Sequence, residues 1–169
     1  MQGYPLPVYT VVDIDEGRLG SVYPLVRIAM PEISPAQWAT YARELARRGW
    51  VLGLSGPDES LFGFLTCRVE RTLRHGPVLH VDNFIVFELG RMGLGRRLLL
   101  EAAEARARKE GCAVSELRLS ARGHGGDERG LAQSWSKLDY WAGDVLLMKP
   151  VELALAARAG KCPAVAIGA

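Results

Sequence analysis

No apolar run in these 169 residues approaches the ~20 needed to cross a bilayer, so a membrane partner is not expected. The start of the chain has no basic stretch followed by an apolar core, so no secretory signal is expected either. Cysteine is scarce. Cys67, Cys112 and Cys162 are scattered and odd in number, which fits free thiols in a reducing cytosol and not a disulfide framework or a zinc site. Charge of one sign is not in excess: a net charge of +2 leaves no electrostatic footprint for nucleic acid. No internal repeat or low-complexity linker divides the sequence, and its length suits one domain with a proper core.

What is there centres on residues 81–111. Phe84-Ile85-Val86-Phe87 is aromatic and β-branched and predicts a buried strand. From 96 to 110, Leu98, Leu99, Ala102, Ala103 and Ala105 keep an apolar stripe at helical spacing. Between them lie Gly90, Gly93 and Gly95 among Arg91, Arg96 and Arg97. Glycines let the backbone turn sharply and approach a ligand with no Cβ in the way. The helix that follows directs free N–H groups and its positive dipole end into that loop. Three cations at that end cost stability, and a bound phosphate would offset the cost. No Gly-Lys-Ser/Thr occurs, so this is not a Walker A loop. Gly90-Arg91-Met92-Gly93-Leu94-Gly95 runs opposite to the dinucleotide fingerprint, with no βαβ series around it.

Gly93-Leu94-Gly95-Arg96, followed by an alanine- and leucine-rich helix, resembles the second half of the acetyl-CoA loop of the GNAT N-acetyltransferase superfamily, Q/R-x-x-G-x-G/A. In the first half Gly90 stands at the Q/R position and Arg91 falls one step late. The remaining elements follow from pattern. Residues 8–14 predict a strand. Asp13 or Asp15 caps a helix running to Met30, with Pro24 inside it as a late start or kink. Ser34-Pro35 starts a second helix that ends on Gly49. Strands are predicted at 50–54, 61–71 and 78–87, separated by turns at 56–59 and 75–77. Gly111 stops the central helix, 115–120 alternates as a strand, 127–138 reads as a short helix and 144–151 as a closing strand.

The order β-α-α-β-β-β-α-β-α-β is similar to that of the GNAT fold. The resemblance implies an α/β (α+β) class: one mixed, mainly antiparallel sheet flanked by helices, with a strand splay for CoA. It implies one domain over residues 1–151 and a C-terminal helix or tail over 152–169. The segment 131–140 resembles the family's A-x-x-x-Y-x-K-L-G-F, with Leu131, Trp135, Asp139 and Tyr140 at the Ala, Tyr, Gly and Phe positions.

The resemblance also implies a site. Asn83, Phe84 and Ile85 would offer backbone groups to the pantetheine of the co-substrate acetyl-CoA. Arg91, Met92, Gly93, Leu94, Gly95 and Arg96 would present amides and charge to its pyrophosphate. No metal is implied. For the base, His80 and Asp82 alternate with apolar neighbours and are expected on one face of their strand. His80 falls where the family commonly places its base, and a histidine suits proton transfer near neutral pH. A His80 that merely bonds a neighbouring backbone is the plain alternative. Asp82 is the second candidate, read more readily as a polar strand residue. Trp135 stands where the family keeps its general acid, so Tyr140 is the candidate replacement, with core packing as its alternative. Glu88 would orient arginines, Ser120 would reach a substrate, and Cys112 reads as buried and inert. Trp38, Trp50, Trp135 and Trp141 read as core or substrate-wall aromatics.

Two activities fit these residues. One is an acetyl-CoA-dependent N-acetyltransferase acting on a primary amine with general-base assistance. The other is a non-catalytic acyl-CoA-binding module. Release of free CoA thiol in the presence of an amine separates them. The acceptor is expected to be a small-molecule or peptide amine. Glu32, Asp58 and Glu59 could receive its charge, or could simply be solvated loop residues. A homodimer stays open.

Overall fold

The computed structural model describes residues 8–87, 93–119, 135, 136 and 140. The chain divides into two compact units, Met1–Gly126 and Asp127–Ala169. The boundary expected at 151/152 lies outside the described residues. The first unit is built on a five-stranded sheet in simple sequence order: β1 (Thr10–Asp13), β2 (Gly49–Ser55), β3 (Leu61–Thr72), β4 (Gly76–Val86) and β5 (Val114–Leu117). All neighbours are antiparallel except β4 and β5, which are parallel. The expected mixed, mainly antiparallel sheet is therefore present.

Helices cover both faces. Asp15 caps as expected, its side chain accepting from the Arg18 N–H at 3.0 Å, but the turns that follow form a 3-10 helix over Glu16–Val22. The α-helix α1 (Tyr23–Ala29) begins only there, with Pro24 in its first turn. Proline has no N–H to donate and would clash in a helix interior, so the chain restarts around it. Helix α2 (Pro35–Ala46) starts on a capping box, Ser34 and Gln37 each bonding the other's backbone. It stops at Ala46. Gly49, expected as the helix end, instead opens β2, where an added Cβ would lie 2.2 Å from the Cys67 carbonyl oxygen. Glycine there serves a close strand approach and not a left-handed turn.

These three helical segments pack on one face of the sheet around Val22, Val26, Trp38, Ala42 and Phe64. Trp38 is core, with its indole N–H donating to the Leu19 carbonyl at 2.8 Å. Helix α3 (Leu94–Lys109) covers the other face, burying Leu99, Ala103 and Ala107 against Leu65, Cys67, Leu79 and Val81. Gly111, at φ +72°, ends it as expected. Among the described residues no helix is long and apolar enough to cross a membrane.

Two irregularities shape the middle of the sheet. Thr66 pairs with Asn83 and Cys67 with Val81, so Asp82 is an extra residue bulging out of β4. Before the bulge Leu79 and Val81 face α3; after it Phe84 and Val86 do, and Asn83 and Ile85 face α1 and α2. The second irregularity is at the edge. β5 accompanies β4 only from Val78↔Val114 to Val81↔Leu117, with a last rung from the Arg118 N–H to the Val81 carbonyl at 2.9 Å. Beyond it β4 continues to Val86 with β3 as its strand neighbour among the described residues. This is the expected splay. The elements expected at 127–138, 144–151 and 152–169 lie outside the described residues, apart from Trp135 and Ser136, which are helical, and Tyr140.

Candidate active site

The hairpin register sets Arg68 of β3 opposite His80 of β4, and the parallel register sets Glu116 of β5 on the other side of His80. Side chains two residues on share the same face, so Glu70, Asp82 and Arg118 join them. The result is a charged cluster spread over three strands. Arg68 Nε donates to Glu70 Oε1 at 2.6 Å, and another of its nitrogens pairs with Asp82. Arg118 Nη1 lies 3.6 Å from the other Asp82 oxygen. The Arg68 hydrogen bond holds the Glu70 carboxyl below the usual carboxylate range, working against desolvation.

His80 sits in the middle of this cluster and is 5 % exposed. Its Nδ1 is 3.1 Å from Glu116 Oε2 and its Nε2 is 3.6 Å from Glu70 Oε2. Neither contact has the alignment of a hydrogen bond, and neither ring nitrogen bonds a backbone group. The plain alternative of a backbone-bonded histidine is thus not what the structure holds. His80 and Asp82 do share one face, as expected. They differ in company: Asp82 is engaged by two guanidiniums, whereas His80 faces two carboxylates.

A second polar group lies just past the bulge. The Asn83 amide nitrogen donates to Tyr41 Oη at 2.9 Å and to Thr66 Oγ1 at 2.8 Å, tying β4 to β3 and to helix α2. Sequence reasoning assigned Asn83 a backbone role and passed over Tyr41, Thr66, Arg68, Glu70, Glu116 and Arg118. The β3–β4 partners were within reach: counting back from the turn at Gly76 places Arg68 and Glu70 beside His80. Nothing local could have placed Glu116, which pairs across the whole of α3.

Asn83, Phe84 and Ile85 all lie on the part of β4 that has lost β5. Gly93 precedes α3 at φ +60°, and that helix has no side-chain cap and no acidic residue in its first turn. Gly95 is buried, Leu94 is 37 % exposed and Arg96 is half-buried. Arg97 is exposed and reaches Glu101 only at 3.8 Å. Arg91 and Met92, like Glu88, Gly90 and Ser120, lie outside the described residues. Tyr140 belongs to the second unit, where its half-buried ring meets Trp135 edge-on at 5.7 Å.

The two described thiols, Cys67 and Cys112, have no part in this site. Burial pushes Cys67 up to about 12, and burial also raises Cys112, which is half-buried. A cleft of about 300 Å³ lies elsewhere, lined by Asp13, Asp15, Arg47, Trp50 and Arg106, and shares no residue with the charged cluster. Arg106 closes one wall of it, stacked 4.9 Å over Trp50 and bound to Asp13 at 2.6 Å.

No protein-family model matches the sequence. No curated protein matches it either. Solved structures do. An aminoglycoside N-acetyltransferase in complex with CoA aligns at TM-score 0.70 and 13 % identity, covering 89 % of this chain and 99 % of that one. An acetyltransferase of Trypanosoma brucei aligns at TM-score 0.65 and 18 % identity, covering 85 % and 100 %. Glucosamine-6-phosphate N-acetyltransferase of Arabidopsis thaliana aligns at TM-score 0.63 and 12 % identity, covering 86 % and 99 %. At such identities the likeness is one of architecture: this chain has the fold of the GNAT acetyltransferases.

Proposed function

We propose that this protein is an N-acetyltransferase that moves an acetyl group from acetyl-CoA to a primary amine. The observation that carries the reading is the parting of β5 from β4 after Val81, together with a helix α3 whose start lacks a side-chain cap and any acid in its first turn. A strand from which its neighbour diverges presents backbone N–H and C=O groups in a row towards the gap, which suits the amides of a pantetheine arm. Asn83, Phe84 and Ile85 would hold that arm. Gly93, Leu94, Gly95 and Arg96, with Arg91 and Met92 before them, would take the phosphates. Neighbours named as N-acetyltransferases of an aminoglycoside and of glucosamine-6-phosphate support an amine as acceptor, and the CoA complex among them supports the donor. Free thiols at Cys67 and Cys112 support a reducing compartment, the cytoplasm.

In this reading the amine must shed a proton before it attacks the thioester. His80 receives it. Because the ring is 5 % exposed, the proton arrives through water or a flanking carboxylate and not by direct contact. Arg68 and Arg118 fix Asp82 at the bulge and so hold the strand geometry beside His80. Bond cleavage releases a thiolate whose conjugate acid has a pKa near ~8.5, so a strong general acid is not needed. That tolerates Trp135 where the family keeps a tyrosine.

The test is release of CoA thiol from acetyl-CoA with a panel of primary amines. His80→Ala should keep CoA affinity and lose kcat by ~10²-fold or more, together with the near-neutral limb of its pH profile. Wild-type turnover with an unmoved profile would remove His80 from the mechanism. CoA binding with no thiol release from any amine would mark a binding module instead.

A further inference from the structure

We propose that Glu116 is the positioning residue for His80: it receives the Nδ1 side of the ring and leaves Nε2 as the nitrogen that accepts the amine's proton. The proposal rests on the reading of His80 given above. Its basis is the company each carboxylate keeps. Glu70 is held by Arg68 at 2.6 Å, and Asp82 is shared by Arg68 and Arg118. Glu116 has no arginine partner among the described residues, and its ionic contact there is the His80 ring, at 3.1 Å. It is also nearer than Glu70, which stands 3.6 Å from Nε2, too far for a hydrogen bond. A neutral imidazole carries one N–H and one lone pair. The N–H turns towards the closer acceptor, which no other ionic group among the described residues engages. The lone pair then lies on Nε2.

The backbone makes this placement robust. Parallel pairing of His80 with Glu116 fixes the two Cα atoms side by side, so only the outer bonds of a 42 % exposed side chain must rotate to bring the oxygen into line. Burial gives the contact its value, since a ring 5 % exposed cannot exchange a lost partner for bulk water. When the ammonium N–H breaks, the amine keeps the electron pair, and a bridging water or Glu70 takes its proton while a proton is passed on to form the Nε2–H bond. The imidazolium then lies between Glu116 and Glu70, which both favour its charge. The thiolate formed on bond cleavage, or solvent, takes the proton away. The groups that face the ring are Arg68 and Glu70 from β3, Asp82 from β4, and Glu116 and Arg118 from β5.

The experiment combines ring-nitrogen NMR on the full chain with kinetics of Glu116→Gln and Glu116→Leu, each in wild-type and His80→Ala backgrounds. In Glu116→Leu the His80 resonances should lose the Nδ1–H tautomer, and kcat should fall ~10-fold or more while the KM for acetyl-CoA holds. Glu116→Gln keeps an acceptor oxygen, so it should keep the tautomer and most of kcat. In the His80→Ala background Glu116→Leu should cause no further loss, which is the mark of acting through the histidine. An unchanged tautomer in Glu116→Leu, or an equal loss of kcat with and without His80, overturns the proposal. A slow His80→Ala beside a fast Glu116→Leu overturns the role of Glu116 alone. A fast His80→Ala overturns the role of His80 and this proposal with it.

Discussion

The two halves of β4 are one continuous strand doing different jobs. From Gly76 to Val81 it lies between β3 and β5, and Val78, Leu79 and Val81 are fully buried. From Asp82 to Val86 its strand neighbour among the described residues is β3, and every residue is only half-buried. The change takes one inserted residue and one diverging neighbour. Asp82 turns the side-chain alternation over, and β5 departs at the same place. The first half therefore supplies cohesion, and the second borders the gap that β5 leaves as it diverges. His80 lies in the first half, two residues short of the bulge. It sits within the buried part of the sheet and still borders the point where β5 parts from β4.

The largest effect that would test this contrast is on stability. Leu79 is fully buried against the α3 face, and Leu79→Ala should cost ~2–5 kcal/mol by denaturant unfolding. His80→Ala, one position along the same backbone, removes a polar ring that gains less from burial than leucine does, and should cost less than that. Equal losses at the two positions would mean that His80 is a packing residue like its neighbours.

The next effect belongs to the free half. Asn83 links the bulge to Thr66 and to Tyr41 of α2, so Asn83→Ala deprives two partly or wholly buried hydroxyls of a donor. A loss of ~1–3 kcal/mol in stability is expected, along with a raised KM for acetyl-CoA. Tyr41→Phe, which keeps the ring, should reproduce the smaller part of both effects. A stable Asn83→Ala protein with unaltered KM would show that β4 keeps its course past the bulge without this link.

Much of this was legible in the sequence, and the failures have physical causes. Ser34-Pro35 announced α2 because a cap and a first-turn proline act locally. The three central strands showed in alternation and in the turns between them. The glycine–arginine loop stood out because chemistry and backbone freedom coincide there. The bulge did not show, since Val81-Asp82-Asn83 reads equally well as an ordinary exposed step. The 3-10 segment did not show either, because apolar spacing of three or four suits both helix types. Gly49 misled because one residue type serves both turns and close strand approaches. The link between Glu116 and His80 was out of reach for a different reason. Its register is set by how α3 packs, not by anything near either residue.

The smallest effect expected concerns the cluster that steadies the paired half. Glu70 is held below the usual carboxylate range, first by the Arg68 hydrogen bond, with further help from the charges of Arg68, His80 and Arg118. In the unfolded chain a glutamate titrates near ~4.3. The folded protein therefore binds the proton less readily than the unfolded one. The stability this confers is fully present above the unfolded value and is lost as pH falls through the lower folded value. At 46 % exposure much of it is screened by solvent, so the contribution is small. The comparison to make is wild type against Glu70→Gln, as urea midpoints at pH 6 and at pH 3. The variant should be the weaker at pH 6, and the gap should close on acidification. Asp58 is depressed too, through its bonds with Ser60, but it titrates identically in both proteins and cancels from the difference. A gap that stays constant or widens at pH 3 would show that Arg68 gains nothing from Glu70 and is held in place by Asp82 alone.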